Sequence, residues 1–168
     1  MTLAAPTVRV LVCGSAERGD DGAALNAVAH VLPRLEPDLR QRVEVRRCVQ
    51  LDASDLIDVA DGEACLVLDT VIGVEPGSIV EISLDELTRM EAAAPRSSHA
   101  LPIAQVLGIT EAIRGQVPRG RLVGIGGKWF GYGSMRSRAL RAGMAAFEQT
   151  IEGAIRDLAQ PASMGARS

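Results

Sequence analysis

The stretch "VRVLVCGSAERGDDGAALNAVAHVL", Val8 to Leu32, decides the fold. Its first six residues set Val and Leu at successive positions instead of alternating them with polar residues, the pattern of a strand buried on both faces. The period then changes. Leu25, Val28, Ala29 and Leu32 fall at i, i+3, i+4 and i+7, one apolar stripe of a helix that Pro33 helps to end. Strand, glycine loop and helix in this order often hold a phosphate, because loop N–H groups and the helix dipole welcome an anion. Here the loop instead carries Glu17, Asp20 and Asp21.

Outward from this stretch the alternation continues. "VEVRRCV" from Val43 reads as a partly exposed strand, "ACLVLDTVIG" from Ala64 as a second fully buried one, "GSIVEISL" after Pro76 as a shorter one, and "RLVGIGG" from Arg121 as another buried run. Ile103, Val106, Leu107 and Thr110 mark one helix; Leu140, Met144, Phe147, Ile151, Ile155 and Leu158 mark a long final one. This predicts an α/β sandwich with helices on both faces of a mostly parallel sheet. The 168 residues, 47% of them hydrophobic, suit one domain over residues 1–168, with residues 1–6 and 160–168 expected to be flexible. In such a sheet a ligand crevice lies at the carboxyl ends of the strands, near a switch in strand order.

Composition removes several functions. A net charge of −3 leaves no basic excess for a phosphate backbone, and aromatic residues, at 2%, are too few for base stacking, so nucleic acid is not an expected partner. No run is long enough to span a bilayer. The amino-terminal apolar run lacks a basic flank and is interrupted by Arg9, so it reads as a strand and not as a signal peptide. Cys13, Cys48 and Cys65 are odd in number and lie in apolar runs, which suits reduced, buried thiols and a cytoplasmic setting.

The acidic loop then identifies the ligand class. Neither G-x-G-x-x-G nor G-x-x-x-x-G-K-[ST] is present, and Cys13 and Arg18 are separated by four residues, one fewer than a phosphatase loop requires. Two like charges about 4 Å apart repel by roughly 1 kcal/mol in water and about 4 kcal/mol at an effective dielectric near 20. A bare phosphate is therefore disfavoured. Helix capping explains one of Asp20 and Asp21, leaving the other to face a ligand. Asp69 ends the run "CLVLD" at the carboxyl end of a central strand, where a turn-forming role is the alternative. His99 stands just before a helix whose first turn includes Pro102, where a structural hydrogen bond is the alternative. His30, the other histidine, reads as a surface residue of the first helix. Two carboxylates and an imidazole placed near the same strand ends form an O/O/N set suited to Ni, Zn or Mn with open positions. The acidic loop repels an anion and attracts a cation.

At these residues the chain resembles the hydrogenase maturation endopeptidases. "VLVCGSAERGDDGAAL" is similar to their opening G-N-x-x-x-x-D-[DE]-G signature, "LVLDTVIG" to their second block and "SSHALPIAQVL" to their SH-x-L block, in the same order, from about Val8 to about Gly126. The resemblance implies a three-layer α/β/α sandwich with a mostly parallel, mixed sheet. It also implies that Asp21, Asp69 and His99 are the metal-binding and catalytic residues. The implied activity is a single cut that removes the C-terminal extension of a [NiFe]-hydrogenase large-subunit precursor, with nickel carried by that precursor as the recognised divalent metal.

Two departures stand out. Ser15 occupies a position where the family usually has asparagine, and after "LVGI" the chain reads "GGKWFGYGSMRSR" where an acidic, proline-containing segment is usual. Trp129, Phe130 and Tyr132, three of the four aromatics, sit among glycines there, either as a core anchor for a loop or as a rim that grips the precursor. No G-x-S-x-G elbow is present, so hydrolysis would rest on a bound ion, with Asp20 a candidate to orient a ligand or take a proton. The alternatives are a non-catalytic, nickel-checking chaperone of hydrogenase assembly and a phosphate- or nucleotide-binding α/β protein.

Overall fold

The computed structural model describes residues 7–90, the backbone of 96–97, and residues 102–162. Strand β1 (Val8–Cys13) leads through the acidic loop into α1 (Ala23–Val31), followed by a short α2 (Pro37–Arg40), β2 (Val43–Cys48), α3 (Ala53–Ile57) and β3 (Ala64–Ile72). Then come β4 (Ile79–Ser83), α4 (Leu84–Met90), the two-residue β5 (Arg96–Ser97), α5 (Ile103–Arg114), β6 (Gly120–Gly126) and the 21-residue α6 (Arg138–Leu158). Every strand and helix read from periodicity is present. The short helices α2, α3 and α4 and strand β5 are not visible as periodic patterns, although Asp52 and Asp55 form a reciprocal capping box at α3.

The strands lie in the order β2-β1-β3-β6-β4, with β5 against the end of β3. β2, β1, β3 and β6 are parallel, while β4 and β5 run antiparallel to their neighbours, so the sheet is mixed and mostly parallel as expected. Its two faces bury two cores. Val8, Val10, Val12, Leu66 and Leu68 pack with α1 and α6 around Phe147; Leu11, Cys13, Cys65 and Val67 pack with α3, α4 and α5 around Leu56 and Leu107. Burial on both faces explains why β1 and β3 lack alternation.

One topological fact positions the site. From β1 the chain first crosses to β2 on one side and then returns to β3 on the other, so strand order reverses between β1 and β3. A reversal splays the two connecting segments apart and leaves a crevice at the carboxyl ends of those two strands. Among the described residues no helix is long and apolar enough to cross a membrane.

Candidate functional site

The acidic loop leaves β1 at Gly14, whose φ of +119° and lack of a side chain let the carbonyl of Asp21 fold directly over it. Asp20 and Asp21 lie in a single turn of 3-10 helix, Gly19–Gly22, and both are buried. Neither caps α1. Gly22 occupies the N-cap position and no side chain bonds the helix end there, which corrects the capping reading of this pair. The turn displaces both carboxylates from the helix terminus and gives them separate tasks.

Asp21 stays with β1. The backbone N–H of Ser15 donates to its Oδ2 at 3.0 Å, which orients the carboxylate at the strand's end. That bond comes from the main chain, so the serine at a position where asparagine is usual does not alter it. Asp20 points the other way. It accepts from the N–H of Lys128 (2.8 Å), Trp129 (3.1 Å) and Ser137 (2.6 Å) and from the Ser137 hydroxyl (2.7 Å). Burial alone would raise its pKa, but these donors, led by the Ser137 hydroxyl, outweigh that and hold Asp20 below the usual carboxylate range. Asp20 therefore clamps the 127–137 loop to the acidic loop, and Ser137 is also the N-cap of α6.

Asp69 lies inside β3 and not at its end, since the strand continues to Ile72. The β1–β3 ladder nonetheless stops at the pair Val12 and Leu68, one residue earlier, so Asp69 lies where the two strands part. The N–H of Thr70 donates to Asp69 Oδ1 at 2.8 Å, and the Thr70 hydroxyl donates to the carbonyl of Asp20 at 2.8 Å. A single residue of β3 thus fixes both the second aspartate and the loop bearing the first. Asp21 is 4% and Asp69 1% exposed, so each carboxylate sits where water screens it little.

His99 lies outside the described residues. On its amino side Ser97 pairs with Val71, two residues beyond Asp69, and on its carboxyl side Pro102 is the N-cap of α5. Among the described residues no group of three or more His, Cys, Asp and Glu side chains is gathered to hold a metal ion. A third donor to join Asp21 and Asp69 would come from beyond them. His30 is on the surface as expected, with Nδ1 2.7 Å from Oε1 of Glu148 on α6.

Sequence reasoning missed the roles of Thr70, Ser137 and the backbone of Lys128 and Trp129. Their contribution comes from long-range pairing, and no local spacing announces it. The cysteines are core residues, as read from their apolar surroundings. Cys13 and Cys48 are register neighbours on β1 and β2, and the hydrogen bond between them, followed by burial and the nearby Asp69, raises the Cys13 pKa. Burial pushes Cys65 up to about 12. Both therefore remain thiols, unsuited to nucleophilic attack.

No protein-family model matches the chain, and no curated protein does. Solved structures do. The [NiFe] hydrogenase maturation protease HybD from Thermococcus kodakarensis superposes with a TM-score of 0.66 at 24% identity, covering 88% of this chain and 97% of that one. The hydrogenase maturating endopeptidase HybD from E. coli gives 0.70 at 19% identity over 90% and 93%. The [NiFe] hydrogenase maturation protease HycI from Thermococcus kodakarensis gives 0.65 at 17% identity over 91% and 94%. Each match takes in about nine-tenths of this chain and more than nine-tenths of the other. The architecture of this chain is the one these hydrogenase maturation proteases share.

Proposed function

We propose that this chain is a hydrogenase maturation endopeptidase that removes the C-terminal extension of a [NiFe]-hydrogenase large-subunit precursor after nickel insertion. The observation that carries the reading is the position of Asp21 and Asp69: one buried carboxylate in the loop after β1, hydrogen-bonded back to Ser15, and one on β3 just past the last β1–β3 pair, the strands that flank the reversal in strand order. Buried carboxylates are costly unless paired or coordinated, and a divalent cation is one group that would offset the cost. With the imidazole of His99 as third donor, two anionic oxygens and one nitrogen match the preferences of a borderline ion. The matched fold of the named proteases supports the same reading.

The chain's own residues would act as follows. The N–H groups of Ser15 and Thr70 hold the two carboxylates in fixed orientations, so nickel presented by the precursor meets a preset pair of oxygens. His99 completes the set from the segment before α5. The buried rim of β1, β3 and the acidic loop limits water around the scissile bond. The ion, when bound, polarises the scissile carbonyl or lowers the pKa of a water molecule.

The test supplies nickel-loaded precursor to wild type and to Asp21→Asn, Asp69→Asn and His99→Ala, and follows loss of the tail by mass spectrometry. The wild type cuts once and the variants do not. Undiminished cutting by all three would remove the site, while tight binding of precursor by the wild type without any cut would establish a chaperone instead.

A further inference from the structure

We infer that the loop of residues 127–137, clamped beside the acidic loop, is a preformed docking surface for an acidic segment of the protein substrate that carries an apolar anchor. The inference rests on the endopeptidase reading for the identity of the substrate, but the surface itself stands on independent observations. Trp129 is 44%, Tyr132 85% and Met135 79% exposed, which gathers three of the few large apolar side chains left uncovered on one loop. Phe130 is only half-buried and belongs to neither core. The loop is thus a rim and not a core anchor.

Rigidity distinguishes this rim from an ordinary exposed loop. Asp20 accepts its four hydrogen bonds from the loop's two ends, the carbonyl of Trp129 accepts from the N–H of Asp20 at 2.8 Å, and the N–H of Gly19 donates to the carbonyl of Gly133 while the N–H of Gly133 donates to that of Glu17. The indole of Trp129 lies across Gly19 and Gly131, at both of which a Cβ would collide with the ring. One side of the ring is therefore covered and the rest is offered to a partner. Holding an aromatic still before binding removes most of the ordering cost that would otherwise weaken the complex.

Charge identifies the partner. Arg18, whose guanidinium lies 5.6 Å from the centre of the Tyr132 ring, and Lys128 are exposed, and Arg136 is pinned by the carbonyls of Gly19 and Ser134. None of the three forms a salt bridge among the described residues, whereas the charge of Asp20 is buried and held by its donors, leaving Glu17 as the exposed acid of the two loops. A protein of net charge −3 thus places three basic side chains without a salt bridge beside its exposed aromatics, on the loops that flank Asp21. Such a surface fits carboxylate side chains interleaved with an aromatic or aliphatic anchor. Nucleic acid is the poorer fit, because the net charge of −3 and an aromatic content of 2% leave little to neutralise phosphates or stack on bases.

The test uses the full chain and the emission of Trp129, its single tryptophan. A glutamate–tyrosine copolymer is expected to shift that emission, with an affinity that falls as salt rises. Poly-lysine should leave the emission unmoved. Exchanging Arg18→Glu and Lys128→Glu should weaken copolymer binding about tenfold or more, with an unchanged melting temperature showing that the fold persists. With nickel-loaded precursor the same pair should raise KM by about tenfold and leave the loss in KM rather than kcat. Copolymer binding without any cleavage by the wild type would overturn the endopeptidase reading and keep the surface. Emission unmoved by the copolymer, equal binding by the charge-reversed pair, or tighter binding of oligo-dT would overturn the surface itself.

Discussion

The two ends of the sheet are built differently. At the amino ends of the strands, charge is spent on closing the fold. Arg9 lies between Glu44 and Glu63 and donates to the carbonyl of Asp58, Arg42 donates to the carbonyl of Ala159, and Arg119 donates to the carbonyls of Leu158 and Gln160 at the C-terminus of α6. At the carboxyl ends the pattern inverts: the carboxylates are buried and held by main-chain N–H groups, while arginines and aromatics stand exposed. Ion pairs and carbonyl contacts tie the amino ends together, whereas main-chain donors fix the orientation of the carboxylates at the other end, as preorganised sites require.

The largest effects should break this contrast at the crevice. Asp21→Asn and Asp69→Asn each retain shape and the accepted N–H bond while removing charge, so cleavage of nickel-loaded precursor should fall by about 100-fold or more, with little change in the melting curve. A matched loss of stability would show these acids to be structural.

Next comes Asp20, whose neighbour in sequence has the opposite role. Asp20→Ala leaves the N–H groups of Lys128, Trp129 and Ser137 without their acceptor, and should cost about 3 kcal/mol in chemical denaturation. Its sign with pH follows from a folded pKa below the ordinary 3.8. The Asp20 contribution is fully present above that ordinary value and is lost as pH falls through the lower folded one. Wild type and Asp20→Ala should therefore converge in stability on acidification. A gap between them that widened in acid would contradict the clamp.

Gly19→Ala sharpens the contrast on a smaller scale. Its φ of +56° and the indole packed on it make an added Cβ doubly unfavourable, and about 1–2 kcal/mol of stability should be lost as Trp129 is displaced. A red shift in tryptophan emission reports that movement directly. Smallest of all should be Glu63→Gln at the amino end, where the bridge to Arg9 spans 3.4 Å and is partly solvated. A change under about 1 kcal/mol, with cleavage intact, is expected there.

Much of this was legible from residue order. Continuous apolar runs at Val8 and Ala64 announce strands buried on both faces, and the 3.6-residue stripe from Leu140 to Leu158 announces α6; both features come from burial, which imprints directly on sequence. The placement of Asp69 at the crevice follows from the same logic, although β3 runs three residues further than the apolar run suggests. What stayed hidden is tertiary. "GDDG" reads as a helix cap because that is the commonest local use of aspartate, and only the approach of Ser137, more than a hundred residues later, turns Asp20 into a loop clamp. The aromatic loop was open to two readings for the same reason. Glycines at 19 and 131 make a seat for an indole only once both loops are folded together.

The most direct measurement is anomalous diffraction at the nickel edge from crystals of the protein equilibrated with Ni²⁺, alongside Asp69→Asn crystals treated identically. A single strong peak bounded by the carboxylates of Asp21 and Asp69 and the imidazole of His99, absent in the variant, is the result expected. Side chains too far apart to share one ion, or a peak elsewhere that survives the substitution, would contradict it.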